Sequence, residues 1–206
     1  MGGSFDPVHF GHLIAAQDAL ERGGLDRLVF VPAAQAPLKP GGVQVSAEAR
    51  LAMVRAVVAG DVRFDVSDYE VRKGGVSYTI DTVRAMCAEF PGDELAWVIG
   101  ADQVERLHLW KDIGELVKQV EFIVLARPGW KAVERGDIAG LRLRWCEGHQ
   151  VELSSTEVRA RLRAGLPVDF MIPHNTVEYI RENGLYRANG VSGKYPAHRG
   201  SSASEE

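Results

Sequence analysis

Hydrophobic positions along the chain follow two rhythms. Short, unbroken apolar and β-branched runs bounded by turn residues occur at Arg27–Pro32, Val62–Val66, Leu95–Gly100, Glu121–Ala126 and Leu141–Trp145. Runs of that length predict short strands buried in a sheet. Between them, apolar residues recur at helical spacing over Leu13–Arg22, Ser46–Val58, Tyr78–Phe90 and Gly114–Val120, and later over Thr156–Ala164 and Thr176–Asn183. Strands alternating with helices predict right-handed βαβ crossovers, and so a doubly wound α/β fold on a mostly parallel sheet. Ligands are then expected at the C-terminal strand edges.

Two stretches break the rhythm. From Ala188 to Glu206 the chain turns to Gly, Ser, Pro, Ala and charge, with few large apolar residues. That composition predicts a disordered tail, leaving one domain over 1–187. At the other end, Gly2-Gly3-Ser4-Phe5 follows Met1 directly, so no residues remain for the strand that a strand–loop–helix unit places first. The expectation is a truncated first strand, with the true start upstream of Met1. An intact native mass of 22.5 kDa would overturn it.

Composition then removes whole classes of function. A chain of 206 residues, 46% apolar and 25% charged, suits one compact domain with its own core. Its 24 basic and 28 acidic residues leave a net charge of −4, where a duplex nucleic-acid binder is usually basic. No apolar run approaches the roughly 18 residues of a membrane span, and the N-terminus lacks the layout of a secretory signal. Only Cys87 and Cys146 are present, without C-x-x-C spacing, which argues against a disulfide framework or a Cys-based zinc site. A reducing cytoplasm is the simplest home, with no nucleic acid and no membrane as partner.

An acidic protein can still hold anions where basic groups and helix N-termini converge. Gly2-Gly3-Ser4-Phe5-Asp6-Pro7-Val8-His9-Phe10-Gly11-His12 runs into an apolar helix. Glycines permit close backbone approach, Asp6-Pro7 sets a turn, and His9 and His12, three apart near a helix start, fall on one side. Two imidazoles above a helix N-terminus suit a polyphosphate. Taken alone, the stretch is equally compatible with a Gly-rich turn bearing surface histidines, and a zinc site lacks a third ligand. Near the end, Ser154-Ser155-Thr156-Glu157-Val158-Arg159 fits a capping box from Ser154 to Glu157. Capping leaves three successive hydroxyl residues and Arg159 unexplained and a second anion site accounts for them, though taken alone the segment is equally compatible with a plain cap and solvated arginines.

The order and spacing of these two motifs resemble the nucleotidyltransferase superfamily, and within it bacterial nicotinate-nucleotide adenylyltransferase, over about Gly2 to Arg187. Glu70-Val71-Arg72-Lys73-Gly74-Gly75-Val76-Ser77-Tyr78-Thr79, Ile99-Gly100-Ala101-Asp102 with Trp110 beyond, and Ala126-Arg127-Pro128-Gly129 extend the likeness. The resemblance implies a Rossmann-like nucleotidyltransferase fold and transfer of the adenylyl group of ATP, carried with Mg²⁺, to nicotinate mononucleotide. Products are deamido-NAD and pyrophosphate, and no metal is held by the protein alone.

By the same resemblance, His9, His12, Lys39 and Arg159 act on the phosphates, and Ser154, Ser155 and Thr156 close over them with Arg159. Gly3, Ser4 and Phe5 line the nucleotide with backbone, while Gly100 and Asp102 face ribose hydroxyls. Trp110 stacks on the pyridine ring, and Thr79 with the backbone near Trp110 and Lys111 meets the carboxylate. One departure is Leu38, which stands where the family commonly has His in the loop carrying Lys39. Alternatives are a related adenylyltransferase acting on another phosphate acceptor such as phosphopantetheine, a nucleotide binder without catalysis, and a class I synthetase fragment. The last has no room for a tRNA-binding domain. Oligomeric state stays open.

Overall fold

The computed structural model describes residues 1–35, 43–126 and 135–187. Lys39 and Leu38, the segment Arg127-Pro128-Gly129 and the tail from Ala188 lie outside them. Strands β1 (Gly2–Gly3), β2 (Leu28–Pro32), β3 (Phe64–Val66), β4 (Ala96–Gly100), β5 (Glu121–Ala126) and β6 (Leu143–Glu147) form two three-stranded parallel sheets, ordered β1-β2-β3 and β4-β5-β6. Helices α1 (Phe10–Arg22), α2 (Ala47–Val58), α3 (Tyr69–Lys73), α4 (Thr79–Glu89), α5 (Ala101–Val104), α6 (Ile113–Gln119), α7 (Ser155–Arg163) and α8 (His174–Glu182) connect and cover them.

The runs of β4 and β5 are apolar in both phases because both faces of these two strands are covered. On β5, Phe122 and Val124 pack into a core with Ile80, Val83, Leu116 and Val117 of α4 and α6. Ile123, one residue out of phase, joins the opposite core with Ala16 and Ala19 of α1 and Val158 of α7. β4 does the same, with Trp97 and Ile99 on one face and Val98 on the other. A period of two with both phases apolar is the pattern of a strand between two helix layers.

The expectation that no leading strand remains is corrected. Gly2 and Gly3 are themselves strand, paired in parallel with Val31 and Pro32. The Met1 carbonyl accepts from Val31 N–H at 3.0 Å, and the Met1 ammonium donates to Val29 O at 2.8 Å. Sequence reading assigned both glycines to the loop, yet they extend the ladder where side chains could not. A Cβ on Gly2 would stand 2.9 Å from the Trp97 ring, and one on Gly3 2.8 Å from the Phe5 ring. The strand is short nonetheless, and the pairing stops before β4.

Helix ends follow local chemistry. Ser46 caps α2 by accepting from Ala49 N–H at 3.2 Å, and Ser154 caps α7 by accepting from Glu157 N–H at 3.2 Å. No helix among the described residues is long and apolar enough to cross a membrane.

Candidate active site

The loop from Ser4 to Pro7 leaves β1 at the C-terminal edge of the sheet and lies between two groups of side chains. Phe5 adopts φ 48° there, and its ring is buried against Phe30 at 5.6 Å and His12 at 5.0 Å between centroids. Its side chain belongs to the core, so Phe5 can meet a ligand only through its backbone. Beneath the loop lies Arg50, fully buried, whose guanidinium donates to the carbonyls of Ser4 (2.7 Å), Ala34 (3.2 Å) and Val45 (3.4 Å). One cation thus ties the motif loop to the end of β2 and the start of α2. Burial pulls the Arg50 guanidinium below its usual range, and Asp6 opposes that shift.

Polyphosphate-binding candidates gather on one side of this loop. The rings of His9 and His12 stack with centroids 3.7 Å apart. His12 Nδ1 accepts from the His9 backbone N–H at 3.2 Å. An accepting Nδ1 carries no proton, which leaves Nε2–H of a neutral imidazole as the donor. Gly11 makes the arrangement possible, since a Cβ there would stand 3.0 Å from His9 Nδ1. From the far end of the chain, Ser155 Oγ donates to Pro7 O at 3.0 Å, and Arg159 donates to Asp6 O at 2.7 Å and to Thr156 Oγ1 at 3.2 Å. By position, the first amides of α7 have no helical acceptor. The two anion-binding motifs that sequence reading treated separately are therefore one assembly, joined through Asp6 and Pro7.

Beside it is a cavity of about 760 Å³, whose lining includes Gly2, Gly3, Ser4, Thr79, Trp110 and Lys111. Gly100 lines it at the end of β4. Asp102 is exposed outside the lining, its carboxylate folded over Gly100, where a Cβ would meet Oδ1 at 2.7 Å. Trp110 packs edge-on against Phe122 at 6.0 Å between ring centroids, which holds the indole at the cavity wall. The Trp110 N–H is already given to Leu107 O at 3.0 Å, so that backbone donor is not available to a ligand carboxylate. The Lys111 ammonium lies 4.6 Å over the Tyr78 ring and 3.9 Å from Asp81.

The histidines, Ser154 to Thr156 and Arg159 do not line this cavity. The fold thus separates the polyphosphate motifs from the aromatic pocket and sets the Ser4–Pro7 loop between them.

Sequence reading missed four residues of the site. Arg50 sits on the same helix face as the buried Met53 and Val54, and a charged residue in an apolar stripe is a legible anomaly. Glu70, 5% exposed, lines the cavity and accepts from Thr82 Oγ1 at 2.5 Å. Tyr186 donates to Asp6, and Arg106 reaches the cavity from the turn before Trp110. Neither of these left a signal in the spacing.

Comparison with known proteins places this geometry. A family model described as cytidylyltransferase-like matches residues 1–161. A protein of Opitutus terrae named "Probable nicotinate-nucleotide adenylyltransferase" is 59% identical over 187 residues, covering 91% of this chain and 96% of that protein. One of Methylacidiphilum infernorum with the same name is 39% identical over 190 residues, covering 91% of each. Among solved structures, Plasmodium falciparum nicotinic acid mononucleotide adenylyltransferase complexed with NaAD superposes with a TM-score of 0.70 at 18% identity, covering 90% of this chain and 94% of that one.

Proposed function

The chain belongs to the cytidylyltransferase-like family, and to the nicotinate-nucleotide adenylyltransferases within it; from that premise we propose how its two half-sites carry out the reaction. It transfers the adenylyl group of ATP to nicotinate mononucleotide, giving nicotinate adenine dinucleotide and pyrophosphate. The observation that carries this reading is the junction at the Ser4–Pro7 loop. It sets an aromatic cavity large enough for a pyridine nucleotide beside an assembly of imidazoles, an arginine and helix amides suited to polyphosphate.

The chemistry needs no protein nucleophile. A phosphate monoester with a second pKa of about 6 is largely ionised at pH 7 and can attack the α-phosphorus directly. Both reactants are anions, so the protein's work is to hold them in line and to stabilise charge building on the departing pyrophosphate. His12 Nε2–H, Arg159 and the amides of α7 are the donors for that charge, with Lys39 from the loop outside the described residues. Ser154, Ser155 and Thr156 close the triphosphate from above, and Gly3, Ser4 and Phe5 offer it backbone groups. Gly100 and Asp102 take the ribose hydroxyls, and Thr79 and Trp110 hold the pyridine ring.

A divalent cation, Mg²⁺ in this reading, arrives on the triphosphate and neutralises leaving-group charge when bound. The donors gathered here fit anions, and among the described residues no group of three or more His, Cys, Asp or Glu side chains could hold a metal ion.

Pyrophosphate release with MgATP and either pyridine mononucleotide tests the function. Turnover of nicotinate mononucleotide with inversion at the α-phosphorus is expected. Retention would indicate an adenylylated enzyme, and ATP binding with no pyrophosphate release would indicate a non-catalytic binder.

A further inference from the structure

Two cations line the aromatic cavity, and they are not equivalent. Lys111 lies 3.9 Å from Asp81, and its ammonium rests on the Tyr78 ring. The same Asp81 also takes Lys73 at 2.6 Å. Lys111 therefore shares one carboxylate with a closer lysine and is held against the Tyr78 ring. Arg106 is exposed, lines the same cavity, and among the described residues its guanidinium makes no hydrogen bond or ion pair. Other arginines are paired, as Arg63 with Asp61 and Arg144 with Glu121, and of the described ones without such a partner Arg106 is the one that lines this cavity.

Arg106 is also held in place. It and Trp110 flank a single 3₁₀ turn, Leu107–Leu109, closed by Leu109 N–H to Arg106 O at 3.0 Å and Trp110 N–H to Leu107 O at 3.0 Å. Leu107 is fully buried and anchors the turn. Arg106 thus lines the cavity from the turn that also carries the indole.

We propose that Arg106 reads the carboxylate of the pyridine mononucleotide and so sets the preference for nicotinate over nicotinamide mononucleotide. This rests on the function proposed above. The pyridine ring of both mononucleotides is a cation at its ring nitrogen. In the nicotinate form the ring carboxylate balances that charge and offers two oxygens to the planar fork of a guanidinium. The nicotinamide form leaves a cationic ring facing an uncompensated arginine. Arg106 thus acts twice, by attraction to one substrate and by repulsion of the other. Trp110 cannot discriminate, because stacking is common to both rings, and its N–H is already used.

The experiment compares wild type with Arg106→Gln, Arg106→Lys and Arg106→Glu, measuring kcat/KM for both mononucleotides and their binding by calorimetry. Loss of a charge-assisted pair predicts a fall of about 10- to 100-fold for nicotinate mononucleotide in Arg106→Gln. The value for nicotinamide mononucleotide should hold or rise. Arg106→Lys should recover part of the preference, and Arg106→Glu should reverse it. An equal fall for both substrates would assign the guanidinium to the shared ribose phosphate and overturn the proposal, as would an unchanged ratio in turnover and binding. Failure of wild type to turn over either mononucleotide would count against the proposed function. Calorimetry would still read discrimination at Arg106.

Discussion

The phenol of Tyr186 donates to a carboxylate oxygen of Asp6 at 2.7 Å across 180 residues of sequence, with both side chains buried. The other Asp6 oxygen accepts from Gln44 N–H at 2.9 Å, and the Asp6 carbonyl accepts from Arg159. One carboxylate in the motif loop thereby fastens the turn at Tyr186 and the approach to α2, while the Asp6 carbonyl fastens α7. Burial first, and then Asp6, drive the Tyr186 pKa well above its usual range, so the phenol stays a donor. Tyr186→Phe leaves a buried carboxylate oxygen without this partner and should cost about 1–3 kcal/mol. Urea denaturation checks it; a wild-type midpoint would mean that water replaces the hydroxyl freely.

With its Nδ1 engaged by the His9 backbone, His12 keeps Nε2–H as the donor that the proposed reaction assigns to the phosphates. Removing one preorganised donor from such a site typically costs about 10²–10³ in kcat. His12→Ala should show that loss with its melting temperature little changed, and a near-normal kcat would remove His12 from its assigned role.

Arg50 satisfies three carbonyls from a fully buried position. Arg50→Ala should destabilise the fold by several kcal/mol, about what loss of one partner from a buried charged network costs. Arg50→Lys keeps charge but has no fork, and it should fold while losing order in the Ser4 loop. The check is KM for ATP, which should rise in Arg50→Lys. A wild-type KM would confine Arg50 to packing.

Trp110 is fixed edge-on by Phe122 and lines the cavity proposed to take the pyridine ring. Trp110→Ala should raise KM for nicotinate mononucleotide about tenfold or more and leave KM for ATP near its original value. Steady-state kinetics varying each substrate would show it, and an unchanged mononucleotide KM would take the indole out of the site.

Burial of the Met1 ammonium lowers its pKa to about 5, the nearby Glu70 opposing the shift. Between that value and about 8, the unfolded chain binds a proton that the folded chain does not, so stability should rise with pH across this window. The slope is at most about 1.4 kcal/mol per pH unit. Nα-acetylation keeps the N–H that meets Val29 O and removes the titration, so it should flatten the curve. Denaturation series at pH 5 to 8 compare the two forms, and identical slopes would refute this origin.

Much of the architecture was written locally. Five apolar runs became β2 to β6 within a few residues, and those of β4 and β5 are apolar in both phases because each lies between two helix layers. Helix starts at Ser46 and Ser154 were legible because a hydroxyl cap acts over three residues. His9, His12 and Arg159 could be singled out because their motifs are contiguous.

What only the tertiary structure decided lies at long sequence separation. Gly2 and Gly3 are strand and not loop because Val31 and Pro32 accept them as a ladder and Trp97 and Phe5 leave no room for side chains. Asp6 was read as a turn residue, yet its carboxylate gathers Gln44 from the segment before α2, Arg159 from α7 and Tyr186 from beyond α8. Arg106 and Lys111 are two ordinary cations in the sequence, and they differ in the fold because Asp81 lies 3.9 Å from Lys111 while the described residues give the Arg106 guanidinium no hydrogen bond or ion pair. Local patterning dictates which residues are buried and which elements form, since those depend on near neighbours. Which charge is compensated and which is left to face the cavity depends on groups far apart in the chain, and folding alone brings them within reach.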